Sequence, residues 1–218
     1  MADTPKIEIS RRGFLKGAGI TAATGVIEST NAFARDAKGA LHGAQTIGPD
    51  AQPIKLHING HEVAVSVEPR YTLVETLRDN LGLTGTKVVC DRGSCSACTV
   101  WIDKVPALAC MTLAVDSVGR EITTIEGLSH GDTMHSVQAA FVKHDAMQCG
   151  FCTPGMVMSC AALLERNPNP KLDDVKHAVS GNLCRCGTYP KVFAATLDVA
   201  QQRALASGLV NLSSGREA

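Results

Sequence analysis

Two runs of alternating apolar residues predict a pair of strands near the start of the folded part of the chain. In residues 54–58 and 63–67 every second position is Ile, Leu or Val, which is the period of a half-buried strand. Asn59-Gly60 lies between the runs and is the dipeptide that type I′ hairpin turns favour. The pattern therefore predicts a β-hairpin that follows a polar, Gly-containing linker over residues 35–53.

A helix and two more strands are predicted after the hairpin. Thr72 and Glu75 have the spacing of a capping box, which marks the start of a helix. Strand-like runs follow at residues 99–102 and 121–125. A hairpin, a helix, a long loop and returning strands in this order are typical of the β-grasp fold, which we assign to residues 54–130.

The apolar spacing changes to a helical one from about residue 131. Val137, Ala140 and Phe141 fit one helical face. Thr153-Pro154 has the form of an N-cap and first helical residue, and predicts a helix as far as Arg166. Further helices are predicted at residues 172–179 and 190–206. We therefore expect an α+β protein, with a β-grasp domain followed by a small four-helix bundle over residues 131–206 and a tail at 207–218.

Eight of the nine cysteines fall into two groups of four. The first group has the spacing C-x4-C-x2-C-x11-C, and the second has C-x2-C-x31-C-x-C. The first spacing is that of plant-type [2Fe–2S] proteins, in which four thiolates hold two irons. Two such groups predict two clusters in series, an arrangement that moves electrons. The ligands expected are Cys90, Cys95, Cys98 and Cys110 for the first cluster and Cys149, Cys152, Cys184 and Cys186 for the second.

The residues around each group suit an anionic cluster. Small residues, including Gly93 and Ser96, fill the first loop, so its backbone can approach the cluster and turn N–H groups toward the sulfurs. We therefore expect Ser96 to contribute loop backbone to the first cluster site. In the second group, Cys149 and Cys152 precede a predicted helix N-terminus, where the helix dipole favours negative charge. Tyr189-Pro190 opens a helix just after Cys186 in the same way.

Two other uses of the cysteines stay open at this point. Four cysteines can hold a structural Zn²⁺, although zinc sites usually show two C-x2–4-C pairs and neither group does. A disulfide framework requires that the protein be exported and oxidised while unfolded. The ninth cysteine, Cys160, lies in an apolar run and is expected to be a small buried hydrophobe. His135 and His144 are given no role in a site.

The N-terminus predicts export in a folded state. Residues 10–16 read S-R-R-G-F-L-K, the form of a twin-arginine signal, and a weakly apolar stretch follows. Ala32-Phe33-Ala34 has the form of a cleavage site, so residues 1–34 are expected to be a signal peptide and the mature chain to start at Arg35. The stretch is too short and too rich in small residues for a membrane span. Because the twin-arginine pathway carries folded proteins, we expect a periplasmic protein with its thiols already bound.

Composition excludes some classes of partner and of chemistry. The first 34 residues hold four of the 21 basic and three of the 21 acidic side chains, so the predicted mature chain is nearly neutral. That balance gives no reason to expect nucleic acid or an anionic membrane as partner. No glycine-rich nucleotide motif and no nucleophile–base constellation is present, so no catalytic residue is assigned. The chain is expected to relay electrons without a substrate site of its own.

Four segments resemble the iron–sulfur subunit of the xanthine-oxidase family of molybdenum hydroxylases. They are C-D-R-G-S-C-S-A-C-T-V, E-I-T-T-I-E-G-L, Q-C-G-F-C-T-P-G and G-N-L-C-R-C-G, and the resemblance covers roughly residues 54–205. The run Q-A-A-F-V-K-H-D-A-M-Q-C-G-F-C and the export signal are most similar to the small chain of periplasmic aldehyde oxidoreductases. Ser96 is a departure, because the family usually has Gly there, and a positive φ at Ser96 would add strain.

The resemblance implies a place for each cluster. In the family, the cluster of the helical domain lies beside molybdopterin held by a separate large subunit, and the β-grasp cluster lies farther out, toward FAD or an external acceptor. Gln148 matches a glutamine that contacts the pterin, and Cys186 matches the cluster ligand closest to it. The expected partners are thus a molybdopterin large subunit, which would oxidise aldehydes to carboxylic acids, and an FAD-binding subunit.

Three alternatives remain from the sequence. The first is the small subunit of an N-heterocycle hydroxylase of the nicotinate or isoquinoline type. The second is a free-standing two-cluster ferredoxin. The third is a binding module without redox activity, held together by disulfides or by zinc. A permanent subunit is expected to expose an apolar docking face around Gln148 and Cys186, whereas a free carrier is more often strongly acidic.

Overall fold

The computed structural model describes residues 48–206, and within this range a β-hairpin opens the fold. Strands β1 (Gln52–Ile58) and β2 (His61–Val67) pair in antiparallel register, with Ile58 opposite His61. Asn59 and Gly60 both have positive φ, +54° and +80°, as a type I′ turn requires. The hairpin prediction is confirmed, and the first two residues of β1 lie inside the stretch predicted as linker.

Three further strands complete one five-stranded sheet. These are β3 (Thr99–Ile102), β4 (Val105–Leu108) and β5 (Glu121–Thr123), and the order across the sheet is β2-β1-β5-β3-β4. The pair β1–β5 is parallel, and the pairs β3–β4 and β3–β5 are antiparallel.

The helix predicted between hairpin and loop is present, with the capping box at its start. Helix α1 (Leu73–Glu75) continues as a π-helical turn over Thr76–Asn80. The Thr72 hydroxyl accepts from the Glu75 amide, and the Glu75 carboxylate accepts from the Thr72 amide, so two helix N-terminal groups are satisfied. Leu73, Val74 and Leu77 are fully buried against the sheet, which fixes the start of the cysteine loop that follows.

Four helices make up the rest of the described chain: α2 (Ser136–Lys143), α3 (Thr153–Arg166), α4 (Leu172–Ala178) and α5 (Tyr189–Ala206). Helix α3 is almost entirely buried because its apolar and small residues face both the sheet and the other helices. Asp198 on α5 accepts from Lys143 and from His144 at the end of α2, at 2.7 and 2.8 Å. No helix within residues 48–206 is long and apolar enough to span a membrane.

Three local predictions need correction. Strand β4 was not predicted, because it contains Pro106 and proline weakens a strand pattern. It is tolerated since β4 is an edge strand. Strand β5 ends at Thr123 rather than at residue 125, where a 3₁₀ turn begins. Thr153 is the first helical residue and not the N-cap of α3, because Cys152 occupies the cap position with helical backbone angles and no side-chain cap bond.

The predicted signal peptide at 1–34, most of the predicted linker and the predicted tail at 207–218 lie outside the described residues. The mixed α and β architecture with one sheet and a set of helices is as expected. Cys160 is fully buried in α3, and burial raises the pKa of its thiol to about 12, so it packs as the small hydrophobe that was predicted.

Candidate functional site

The first cysteine group is built by the loop before β3 and by the turn after β4. Cys90, Cys95 and Cys98 lie on the loop, and Cys110 lies in the 3₁₀ turn Ala109–Met111. The Ala109 amide donates to the Cys98 carbonyl at 3.2 Å, which brings the turn beside the loop. Cys95, Cys98 and Cys110 are buried and Cys90 is partly exposed. The group is therefore largely enclosed by this chain.

The second cysteine group lies between helices. Cys149 and Cys152 stand just before α3, and Cys184 and Cys186 lie on the segment between α4 and α5. Cys149 is exposed and the other three are partly exposed. The first two thiols thus lie at the N-terminus of a fourteen-residue helix, where the helix dipole favours anionic groups. This group is more open to solvent than the first.

The eight thiols meet as four pairs. The Cys149 and Cys186 sulfurs are 3.5 Å apart, and the other side-chain pairs are Cys152 with Cys184, Cys90 with Cys95, and Cys98 with Cys110. A [2Fe–2S] cluster has four thiolates on two irons, and hence one pair for each iron. Each group supplies two such pairs, so the thiol arrangement fits a two-iron cluster in each place.

Hydrogen bonds make some of these thiols easier to ionise, while burial opposes this at others. Backbone hydrogen bonding, chiefly from Arg92, lowers the pKa of Cys90 to about 7, and the Ser94 amide donates to its sulfur at 3.3 Å. At Cys184 burial is outweighed by hydrogen bonds from the side chain and backbone of Thr188, so the pKa falls to about 7. Burial raises the pKa of Cys98 and that of Cys152 to about 12.

Two buried hydroxyls give an independent test of fit. Thr86 and Thr153 carry the side-chain oxygens that, among the described residues, are buried without a hydrogen-bond partner. Thr153 directly follows Cys152, and Thr86 precedes Cys90 by four residues. A buried polar group without a partner is costly. The unpartnered Thr153 hydroxyl next to Cys152 in the chain fits a segment that folds around a group bound by the second cysteines.

Ser96 lies where the sequence predicted, in a strained conformation. Its φ is +53°, in the left-handed region that glycine favours. The conditional expectation of strain is therefore met. The Ser96 carbonyl accepts from the Thr99 hydroxyl at 2.8 Å and from the Asn182 side chain at 3.1 Å. The second of these bonds comes from the helical half of the molecule.

Gln148 lies beside the second group. Its side-chain nitrogen is 3.5 Å from the carbonyl oxygen of Cys186, so the structure brings together the two residues that the resemblance had paired. His135 and His144, which have no predicted site role, are respectively the N-cap of α2 and a hydrogen-bond partner of Asp198.

Sequence reasoning missed the polar residues that hold the Cys184 segment. The Tyr189 hydroxyl accepts from the Cys184 amide at 2.8 Å and donates to the Asn182 carbonyl at 3.0 Å. The sequence marks Tyr189 only as the start of a helix, and it marks Asn182 only as a member of the segment G-N-L-C-R-C-G, with no role of its own. Their roles depend on contacts that a linear pattern does not display.

Two family models match the chain in the places where the cysteine groups lie. Residues 56–115 match the 2Fe-2S iron-sulfur cluster binding domain, and residues 124–197 match the [2Fe-2S] binding domain. The fold and the paired thiols therefore define a two-cluster iron–sulfur protein.

Known relatives identify the kind of complex. The chain is 40% identical over 209 residues to the aldehyde oxidoreductase iron-sulfur-binding subunit PaoA of Escherichia coli, with 89% of both chains covered. It is 44% identical to the nicotine 6-hydroxylase small subunit of Paenarthrobacter nicotinovorans, over 70% of this chain and 92% of that one.

Solved structures agree with these relatives. Quinoline 2-oxidoreductase from Pseudomonas putida 86 has a chain that is 43% identical, with a TM-score of 0.69 and coverage of 74% of this chain and 99% of that one. The aldehyde oxidoreductase of Desulfovibrio gigas is 37% identical with a TM-score of 0.66, and the match covers 73% of this chain and 18% of the longer one. The chain belongs to the iron–sulfur subunits of the molybdenum hydroxylases, and it is an electron-transfer subunit of an oxidoreductase.

Proposed function

We propose that each cysteine group holds one [2Fe–2S] cluster through its four thiolates. Cys90 with Cys95, and Cys98 with Cys110, would bind the two irons of the first cluster. The corresponding pairs in the second are Cys149 with Cys186 and Cys152 with Cys184. The pairing of all eight thiols supports this assignment, as does the buried, unpartnered hydroxyl of Thr153, which follows Cys152 in the chain. The clusters supply one-electron chemistry, and this chain supplies their ligands and spacing.

The observation that carries the proposed direction of transfer is the apolar surface around the exposed second group. Phe151 lies between Cys149 and Cys152 and is 58% exposed, and Leu183 precedes Cys184 and is 57% exposed. An apolar groove of about 330 Å³ reaches Gly150, the residue before Phe151, and its lining also includes Met134, Val142 and Met147. Exposed apolar patches of this kind mark interfaces. We propose that the molybdopterin subunit docks here, with Gln148 facing the pterin.

Exposed apolar residues, here called the second apolar rim, also neighbour two cysteines of the first group in the chain. Val89 and Met111 adjoin Cys90 and Cys110 and are 56% and 64% exposed. We propose that this rim receives the FAD subunit or another electron acceptor. Electrons would then pass from the molybdenum subunit to the Cys149 group, next to the Cys90 group, and then outward.

The proposed substrate of the complex is an aldehyde, oxidised to a carboxylic acid on the large subunit. The support is the extent of similarity, because the match with PaoA spans 89% of this chain and that with the nicotine 6-hydroxylase small subunit spans 70%. An N-heterocycle is the second candidate, favoured by the 43% identity with the quinoline 2-oxidoreductase chain. Expression of this chain together with its partner subunits, followed by activity assays with benzaldehyde and with nicotinate, would separate the two candidates.

The domain assignment and the cellular compartment are part of the same proposal. We assign residues 54–130 to a β-grasp domain and residues 131–206 to a four-helix bundle. The parallel pairing of β1 with β5 and the packing of α2, α3 and α5 around one core support these assignments. Residues 1–34 are proposed to direct twin-arginine export to the periplasm, as residues 10–16 suggest.

Cluster content tests the ligand assignment directly. Purified protein is expected to hold about four irons and about four acid-labile sulfides, with two distinguishable paramagnetic signals after reduction. The two signals should differ because one group is enclosed and the other is open to solvent. Zinc in place of iron would contradict the assignment, and so would only about half of the expected iron in protein that has been fully loaded.

Export and the order of the clusters need separate experiments. Changing both Arg11 and Arg12 to Lys should leave the protein in the cytoplasm, and unchanged periplasmic activity would contradict the proposed signal.

The order of the two clusters is tested by replacing one ligand of each. Cys149→Ser should abolish reduction of every acceptor by substrate. Cys95→Ser should instead spare reduction of the surviving cluster and block transfer to flavin. The opposite result would reverse the proposed order.

A further inference from the structure

A single backbone hydrogen bond joins the two cysteine groups. The Leu183 amide donates to the carbonyl of Cys95 at 3.0 Å. Cys95 belongs to the first group, and Leu183 directly precedes Cys184 of the second. One hydrogen bond and one peptide unit therefore separate a proposed ligand of one cluster from a proposed ligand of the other.

Asn182 anchors the segment that makes this bond. Its side chain is almost fully buried, 3% of the residue being exposed, and its Nδ2 donates to the Ser96 carbonyl at 3.1 Å. Its amide donates to the Val179 carbonyl at the end of α4, and its carbonyl accepts from the Tyr189 hydroxyl at the start of α5. Asn182 thus connects the first cysteine loop to two helices of the other half.

The surrounding packing leaves this connection little freedom. A Cβ at Gly155, three residues after Cys152, would overlap the Ser96 carbonyl oxygen, and a Cβ at Gly181 would lie 3.1 Å from the Ser96 hydroxyl oxygen. The start of α3 and the Asn182 segment therefore contact the same strained residue from two sides. A side chain inserted at Gly155 would push the two cysteine groups apart.

We propose that Asn182 is a positioning residue for electron transfer between the two clusters. A buried amide needs hydrogen-bond partners wherever it lies, but here the partner is the loop of the opposite cysteine group. By fixing the Ser96 carbonyl, Asn182 holds the Cys95 carbonyl against the Leu183 amide. It thereby sets the separation of the clusters and preserves the hydrogen-bonded path between them.

The step that this arrangement serves is a one-electron exchange. With both clusters bound, one would be oxidised and the other reduced, with no bond formed or broken and no proton moved. Because the rate of such a transfer falls steeply with distance, a small displacement of either loop would slow it. The inference rests on the ligand assignment proposed above, which iron and sulfide content tests separately.

The test compares Asn182→Leu with Thr196→Val in the purified protein. Leucine keeps the size of the asparagine side chain but lacks the donor to Ser96. Thr196 is fully buried, and its hydroxyl donates one turn back to the Val192 carbonyl within α5 and is also hydrogen-bonded to the buried thiol of Cys160, which belongs to neither cysteine group. The second change thus removes a buried hydrogen bond without touching the contact between the cysteine groups.

Asn182→Leu should retain full iron and sulfide and both individual cluster spectra. The magnetic interaction between the two reduced clusters should change, and one-electron equilibration after photochemical reduction should slow roughly tenfold. Thr196→Val should change neither the magnetic interaction between the clusters nor the rate of equilibration. Full iron content with unchanged interaction and unchanged rate in Asn182→Leu would overturn the inference and leave the ligand assignment intact. Wild-type protein lacking the expected iron would overturn both.

If Asn182→Leu loses a cluster, the inference is tested instead by amide hydrogen exchange in the wild-type protein. There the Leu183 amide should exchange with solvent deuterium as slowly as the amides in the middle of α5, because its bond to Cys95 is held closed. Rapid exchange at Leu183 in the fully loaded protein would overturn the inference.

Discussion

The indole nitrogen of Trp101, on strand β3, donates a hydrogen bond of 3.0 Å to the carbonyl of Met158 in helix α3. Trp101 is the single tryptophan of the chain, and 9% of its surface is exposed. It belongs to the sheet, yet its side chain packs within the helical core. The two halves of the described structure therefore share a core residue, which fits a molecule that must hold two cysteine groups at a fixed separation.

Trp101→Phe should lower the free energy of unfolding by about 1–2 kcal/mol, because it removes a buried hydrogen bond and part of the ring. The measurement is urea unfolding followed by far-ultraviolet circular dichroism. Val118→Ala, at a residue that is 48% exposed, is the control and should change stability by less than about 0.5 kcal/mol. Equal stability of Trp101→Phe and wild type would show that the indole does not hold the halves together.

The local elements of the fold could be read from the sequence because their causes are local. The Asn59-Gly60 turn and the Thr72–Glu75 capping box are set by neighbouring residues, and both are present. Strand β4 was missed because Pro106 weakens its pattern, and its edge position depends on the whole sheet. The parallel pairing of β1 with β5 joins residues more than sixty positions apart, for which a linear pattern carries no signal.

In the candidate site, too, local features could be predicted from the sequence and long-range contacts could not. Cysteine spacing predicted which thiols would gather, and the structure gathers them in the two expected groups. The contact of Asn182 with Ser96 spans 86 positions and could not be predicted, because a buried asparagine looks like any other in the sequence. The strain at Ser96 was foreseen only as a condition, since φ follows from the loop geometry.

Cys152→Ser should lower iron and sulfide content by about half, because loss of one ligand should release one cluster and leave the other. Cys160→Ala is the matched control. It lies in the same helix region and is fully buried, but it has no partner in a cysteine group. The control should retain full iron and lose about 1 kcal/mol of stability through the small cavity. Iron loss from Cys160→Ala would show that the ligand assignment is wrong.

At position 96, glycine should be more stable than alanine by about 1 kcal/mol, because only glycine adopts positive φ without strain. The comparison of Ser96→Gly with Ser96→Ala by thermal unfolding isolates this backbone effect. Ser94 lies on the same loop, is exposed and is not among the residues with positive φ. There the order should reverse, since glycine makes the unfolded chain more flexible. The same order at both positions would contradict the strain.

The N-cap of α2 should make stability depend on pH near neutrality. Burial, followed by the nearby charge of Arg203, lowers the pKa of His135 below its ordinary value of 6.5, and its Nδ1 accepts from the Val137 amide at 3.3 Å. The folded state therefore favours the neutral imidazole. Its cap bond also needs that form, because a protonated Nδ1 cannot accept.

The sign of the effect follows from linkage. Because the pKa is lower in the folded state than in the unfolded state, the unfolded chain binds more protons as the solution becomes acidic. Stability should thus rise with pH through the interval between the folded and unfolded pKa values, and fall on acidification below about pH 6.5. Glu165 opposes the shift weakly by favouring the charged imidazole, and His130 adds to it.

His135→Asn is the variant that isolates this titration, because asparagine is a good N-cap and does not ionise. The difference in unfolding free energy between wild type and His135→Asn should be constant above about pH 7 and should shift against wild type toward pH 5. Urea midpoints at a series of pH values measure it, and contributions from the clusters cancel because both proteins share them. A difference that is flat from about pH 5 to pH 8, or that favours wild type in acid, would show that His135 is not held neutral by the fold.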